Sequence, residues 1–346
     1  MKFAVIQFPG SNCDQDCLGA VNGLEGLHAE YVWHKETSLD DFDAIVLPGG
    51  FAYGDYLRCG AIARFSPILR AVISDAQAGK LVLGTCNGFQ VLCEAGLLPG
   101  ALVRNRSLRF VCDMVTTRVE VDDSPFTHGC PKGTLLHLPV AHGEGCFFAD
   151  AETLRDLNAN RQVILRYADN QGRNVPEANP NGSIENIAGV CNRERNVFGL
   201  MPHPDRASDS RLGSVDGTRI FRSMMQTISA NRATMASNPV KARAAKTEAK
   251  RELEFRNFLR NRKNYDSEFV QEIEPLFDAL GFREKKIIFE RFGLRGGKPK
   301  TLEEVGKKWG VTRERIRQLQ NIALSKLRRA LSKKERPVDV ELPVEA

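Results

Sequence analysis

A cysteine framed by glycines, Gly84-Thr85-Cys86-Asn87-Gly88, follows directly on the apolar run Leu81-Val82-Leu83. A strand that ends in Gly-x-Cys-x-Gly and passes into a helical pattern (Phe89, Val91, Leu92) has the form of a nucleophile elbow, with sulfur in place of the serine oxygen. The glycines permit the tight turn that lifts the thiol above a sheet. The N–H groups opening the next helix then face any anion formed there. Only the thiolate is a good nucleophile, so this chemistry needs a base. His203, after the apolar segment Val197–Met201, can take the thiol proton and return it to a leaving group. Asp205, two residues on, can accept the other ring N–H and fix the tautomer. Pro202 and Pro204 flank the histidine and hold its backbone extended. Gly49-Gly50-Phe51 offers further N–H donors to an oxyanion. His142-Gly143-Glu144-Gly145 reads as a loop near the site without assignable chemistry. Cys13, Cys17, Cys93, Cys112, Cys130, Cys146 and Cys191 read as small, inert hydrophobes, and Cys59 is left open.

The elements that must position these groups read as an α/β chain. Apolar strands are expected at 2–8, 30–34 and 43–47, with a fourth leading into Cys86, and helices at about 14–24 and 62–78. Short apolar strands alternating with helices predict a doubly wound, mostly parallel sheet covered on both faces. Its strand ends, where open α/β sheets hold ligands, carry the glycines and the reactive groups. Beyond residue 100 the pattern turns β-rich, with a long Gly-, Pro- and Asn-containing loop at 170–184. At 346 residues the chain has room for two cores. No stretch approaches the 18 or so apolar residues of a membrane span. The odd count of nine cysteines, with no Cys-x-x-Cys spacing and no secretion signal, predicts reduced thiols in a cytoplasm and no metal site.

Charge divides the chain. Residues 1–230 carry 21 Lys and Arg against 26 Asp and Glu, a net −5, whereas 231–346 carry 28 against 17, a net +11. That asymmetry suggests a mildly acidic enzyme joined to a segment that seeks nucleic acid. The expected domains are 1–230, a charged and partly helical linker at 231–267, a small all-helical domain at 268–334, and a disordered tail at 335–346. Within the third, Thr301-Leu302-Glu303-Glu304 is a capping box, Gly310 stops that helix, and Thr312 can cap the next. Two short helices around a Gly-containing turn, the second led by Arg and Gln, form a helix-turn-helix.

Gly84–Gln90 together with Met201-Pro202-His203-Pro204 resembles the class I glutamine amidotransferases. Within them the match is closest to the glutaminase subunits of phosphoribosylformylglycinamidine synthase. Residues 8–14, 48–61, 96–100, 139–145 and 189–190 carry the same likeness, which spans 1 to about 229. The resemblance implies a flavodoxin-like fold, Cys86 as nucleophile and His203 as general base. Asp205 stands at the triad position where the family usually has glutamate. It also implies Gly50, Phe51, Asn87 and Gln90 as the oxyanion and substrate-binding set. The implied reaction is hydrolysis of L-glutamine through a Cys thioester, with ammonia passing to a separate synthetase. The resemblance implies no cofactor in this chain. The synthetase uses ATP and magnesium, and a small third subunit joins it. Residues 302–306, 311–318 and 323–328, with Arg291-Phe292-Gly293-Leu294, look like region 4 of the primary bacterial sigma factors. That likeness maps base readers onto Arg313, Glu314 and Gln318, with Arg315 and Arg317 on the backbone, and implies promoter DNA or RNA polymerase as partner. The rival reading is a transcription regulator that uses an amidotransferase-like domain as a metabolite sensor.

Overall fold

The computed structural model describes residues 1–55, 59–237, 274–292 and 300–327, the last range without 314, 317, 321, 324 and 325. Most of the expected linker, the tail, Glu314 and Arg317 lie outside the described residues. The chain divides into two compact units, Met1–Thr234 and Met235–Ala346.

The first unit is built on a nine-stranded sheet. The strands β1 (Lys2–Gln7), β2 (His28–Trp33), β3 (Ala44–Leu47), β4 (Leu81–Thr85) and β11 (Val197–Leu200) pair in parallel. The strands β10 (Ile187–Cys191), β9 (Val163–Tyr167), β6 (Val111–Val119) and β7 (Leu135–His142) continue the sheet by antiparallel pairing. Across the sheet the order is β2-β1-β3-β4-β11-β10-β9-β6-β7. β3 and β4 are buried at every residue. This is why they read as continuous apolar runs rather than alternating ones. Two apolar layers cover the sheet, one gathering Val21 and Phe221, the other Ile68, Val72 and Phe89.

Helices α1 (Asp14–Asn22), α2 (Ile68–Gln77) and α3 (Asn87–Glu94) follow strands β1, β3 and β4. Helix α2 begins six residues later than expected because Pro67 stands at its N-cap, ahead of the first helical residue. Before it, residues 63–65 form only a 3-10 turn. Helix α4 (Ala151–Ala159) interrupts the stretch that reads as β-rich. Its buried face is just Leu154 and Leu157, too few apolar positions for a helical period to stand out. β5 (Ala101–Val103) and β8 (Cys146–Phe148) form a separate two-stranded sheet. Helix α5 spans Thr218–Ser237, past residue 230.

In the second unit, α6 (Phe282–Phe292) and α7 (Leu302–Trp309) share a small core of Ile287, Val305 and Ile316, with Leu302, Trp309 and Leu319 packed on it. Thr301 and Glu304 close a reciprocal capping box, and Gly310 ends α7 at φ 65. Thr312 Oγ1 accepts the Arg315 N–H at 3.2 Å and so caps a further helical run.

Candidate functional site

Cys86 lies between β4 and α3 with φ 48 and ψ −105, a region that costs a non-glycine residue free energy and that the surrounding structure must impose. Its N–H donates to Leu200 O at 2.8 Å, which pins the turn to β11. Close approach does the rest: a Cβ on Gly88 would fall 2.0 Å from Leu47 O, so only glycine lets α3 start directly above β3. The strained turn and the helix behind it therefore hold the thiol at the strand ends. There it donates weakly to Ala141 O at 3.7 Å.

His203 follows β11 in extended backbone (φ −102, ψ 92), its N–H donating to Pro139 O at 2.8 Å. Pro204 then opens a 3-10 turn that swings Asp205 back, so that His203 Nδ1 and Asp205 Oδ2 lie 3.3 Å apart. Both side chains are buried. Burial disfavours the imidazolium, but the Asp205 carboxylate and then Cys86 outweigh it, and His203 is raised to about 10. With Nδ1 turned to Asp205, Nε2 is buried with no partner among the described residues. Gly49 is the point where the groups meet. A Cβ built on it would stand 2.6 Å from His203 Cε1, 3.3 Å from Cys86 Cβ and 3.4 Å from Cys13 Sγ. Ser11 Oγ donates to Gly49 O at 3.1 Å and fixes that peptide. Gly49→Ala is thus expected to displace the imidazole rather than unfold the sheet. A misplacement of about 1 Å at a reacting group costs about 10²-fold. Rates of turnover beside thermal melts of the variant check this.

Gly50 and Phe51 follow Gly49, and their N–H groups carry no hydrogen bond among the described residues. Asn87 and Gln90 brace the loops around them. Asn87 Oδ1 accepts the Ala52 N–H at 3.1 Å, and Asn87 Nδ2 donates to Asp55 Oδ1 at 3.0 Å and Gln90 Oε1 at 2.9 Å. Gln90 Nε2 donates to Glu144 O at 2.6 Å. Both Asn87 amide hydrogens are spent within the protein, so Asn87 and Gln90 tie the Ala52–Asp55 turn to the loop at Glu144.

Three features of the site go beyond the sequence reading, which gives Cys13 no role and the His142 loop a place near the site but no chemistry. Cys13, which reads as inert, has its sulfur beside Gly49 and accepts from Arg206 Nη2 at 3.2 Å. Burial pushes that thiol up to about 12. Arg206 Nε also donates to Asp16 Oδ2 at 2.8 Å, tying the His203–Arg206 turn to α1. The third is a polar wall behind the site. His142 Nδ1 lies 3.2 Å from Asn105 Oδ1, and its Nε2 lies 3.4 Å from Asn181 Nδ2. Its members are separated by 37 and 39 residues, so no local spacing announces it.

Burial, helped by the charge of His203, lowers His142 to about 4. Between that value and the ordinary histidine value of about 6.5 the unfolded chain holds a proton that the native state refuses. Stability contributed here is complete above pH 6.5 and is lost as pH falls toward 4, on the order of 3 kcal/mol in all. The destabilisation caused by His142→Gln is therefore expected to shrink by up to that amount between pH 7 and pH 4. Urea unfolding of the two proteins at both pH values measures it.

In the second unit Arg313, Arg315 and Gln318 are exposed along one helical run, while Ile316, Ala323 and Leu327 are buried. Arg315 Nη1 donates to Gln318 Oε1 at 3.1 Å. Among the described residues no cluster of three His, Cys, Asp or Glu could hold a metal ion, and no helix is long and apolar enough to cross a membrane.

Comparison with known proteins agrees with this division. Residues 1–226 match the family described as the CobB/CobQ-like glutamine amidotransferase domain, and residues 276–329 match sigma-70 region 4. The chain is 55% identical over 234 residues to phosphoribosylformylglycinamidine synthase subunit PurQ of Acaryochloris marina, covering 68% of this chain and all of that one. It is 58% identical over 225 residues to the subunit of the same name from Gloeobacter violaceus, covering 65% of this chain and 97% of that one. A chain of the solved structure of PurLQS from Thermotoga maritima matches with a TM-score of 0.59 at 42% identity, covering 66% of this chain and 98% of that one.

Proposed function

The chain belongs to the CobB/CobQ-like glutamine amidotransferase family, and from that premise we propose that it is the glutaminase subunit of phosphoribosylformylglycinamidine synthase, carrying an appended sigma-like helix-turn-helix. The observation that carries the enzymatic reading is the strained Cys86 turn set against a buried His203–Asp205 pair.

In the mechanism we infer, His203 Nε2 takes the Cys86 proton, and the sulfur attacks the side-chain amide carbon of glutamine. The oxyanion of the tetrahedral adduct is met by the N–H groups of Gly50 and Phe51 and of the first turn of α3. His203 returns the proton to the departing nitrogen, ammonia leaves, and a glutamyl thioester remains on Cys86. Water, deprotonated by His203, then attacks the thioester carbonyl, releasing glutamate and the thiolate, which recovers its proton. Asp205 holds the imidazole in the tautomer that leaves Nε2 free. Ammonia passes to a separate synthetase that uses ATP and magnesium, joined by a small third subunit. The likeness to a chain of the Thermotoga maritima PurLQS structure, whose name carries an L, a Q and an S component, supports that assembly.

For the second unit we propose a tethered module that binds promoter DNA or RNA polymerase through Arg313, Arg315 and Gln318, together with Glu314 and Arg317. Arginine and glutamine pair with base edges while further basic groups meet phosphates. Glutamine-dependent ammonia release by the full chain, with and without the synthetase, tests the enzymatic reading. Release that rises with the partner supports it. A folded chain silent in both conditions favours the metabolite-sensing regulator.

A further inference from the structure

On the first unit a cavity of about 750 Å³ opens between β8, the segment after β5 and the loop at 176–186. This volume is that of a small-molecule site. Its wall includes Arg106, Cys146, Phe148, Asn179, Gly182 and Asn186. Arg106 is exposed and makes no ion pair among the described residues, although carboxylates are plentiful on this acidic unit. Its stem is braced across Gly182, and its charge reaches Cys146. An unpaired guanidinium held at the rim of a cavity presents a fork of donors suited to a carboxylate or phosphate. Phe148, 56% exposed at the end of β8, lines the same cavity and can offer an aromatic ring to a ligand there.

The backbone of the wall is also unusual. Glu185 and Asn186 both take positive φ, 50 and 55, which non-glycine residues adopt at a cost. Side chains hold this shape from below: Arg166 and Asn158 hold the Glu185 carboxylate, and Asn186 Nδ2 donates to Tyr167 O and Val175 O. The floor of the cavity is Asn181, whose amide lies 3.4 Å from His142 Nε2. The cavity thus abuts the back of the polar wall behind His203 and not the thiol.

We propose that this cavity binds a small oxyanion carrying a planar ring, the oxyanion on Arg106 and the ring against Phe148. Nothing in the glutaminase reaction requires such a site, and the proposal holds or fails independently of that activity. Calorimetric titration of the full chain with AMP (ring and phosphate), orotate (ring and carboxylate) and inorganic phosphate (no ring) tests it. At least one ring-bearing anion is expected to saturate one site about tenfold more tightly than phosphate. Arg106→Ala should weaken that binding about tenfold or more, and Phe148→Ala several-fold. Arg155→Ala, a surface change on α4, should leave it unaltered. Both altered wall residues are solvent-exposed, and thermal melts confirm that the variants fold. Absence of saturable binding by either ring-bearing anion, equal binding of phosphate alone, or binding indifferent to Arg106→Ala overturns the proposal.

Discussion

Cys86→Ala is expected to lower glutamine-dependent ammonia release by about 10⁴-fold or more, because in the proposed mechanism every covalent step passes through this sulfur. The protein around the change should survive. Alanine keeps the Cβ and therefore the same strained turn, whose shape is set by the Leu200 carbonyl and the Gly88 approach to β3. The thiol itself contributes one weak bond to Ala141 O. Losing one buried sulfur from an otherwise intact apolar layer costs about 1 kcal/mol. Glutamine should consequently still bind, and any nucleic-acid or polymerase binding proposed for the second unit should be unchanged. If that binding is to DNA, its affinity falls by roughly 0.9 log unit per log unit of salt for each phosphate contacted, with or without Cys86. Ammonia release at the parental rate would assign the nucleophile elsewhere, and Cys13, across Gly49, would be the thiol to examine.

The parts of this site that could be read in the sequence are those whose chemistry is local. Strand, elbow and helix are contiguous from Leu81 to Leu92, and the His203–Asp205 pairing is made within one short turn. Gly49 illustrates the opposite case. Its Pro-Gly-Gly setting announces a turn, yet the reason for glycine is a histidine 154 positions later pressed against the place a side chain would occupy. Cys13 looks like core by type and is buried like core. Its place in the site comes from α1 packing beside the 3-10 turn that carries Arg206, a tertiary relation without a spacing signal. The sheet divides along the same line. The parallel half alternates with helices in sequence and is legible on that ground. The antiparallel half is set in the sheet by pairings between strands far apart in sequence, β11 with β4 and β9 with β6. In the second unit the capping box and Gly310 lie within ten residues and specify α7 directly.

Asp205→Asn is expected to cost about 10⁴-fold in turnover, the second large effect, and for a different physical reason. The carboxylate is the main charge that raises His203, and it accepts from Nδ1 so that Nε2 is left facing the thiol. An asparagine carries no charge and can present its NH₂ to Nδ1. The ring then takes the other tautomer, with a proton on the nitrogen that should receive one. Loss of the carboxylate also lowers the His203 pKa, so whatever activity remains should have its His203-dependent limb moved to lower pH. Asp205→Glu separates charge from reach. The Nδ1–Oδ2 separation of 3.3 Å is longer than the 2.7–2.9 Å usual for a charge-assisted bond, a gap that one more methylene can close. The longer carboxylate should therefore retain turnover within about tenfold of the parent while Asp205→Asn does not. Alkylation of Cys86 by iodoacetamide across the pH range reads the same pairing without turnover, and its His203-dependent step should shift down in Asp205→Asn alone. Equal impairment of both variants, with parental alkylation profiles, would make Asp205 a packing residue of the turn and leave His203 oriented by its backbone and by Gly49.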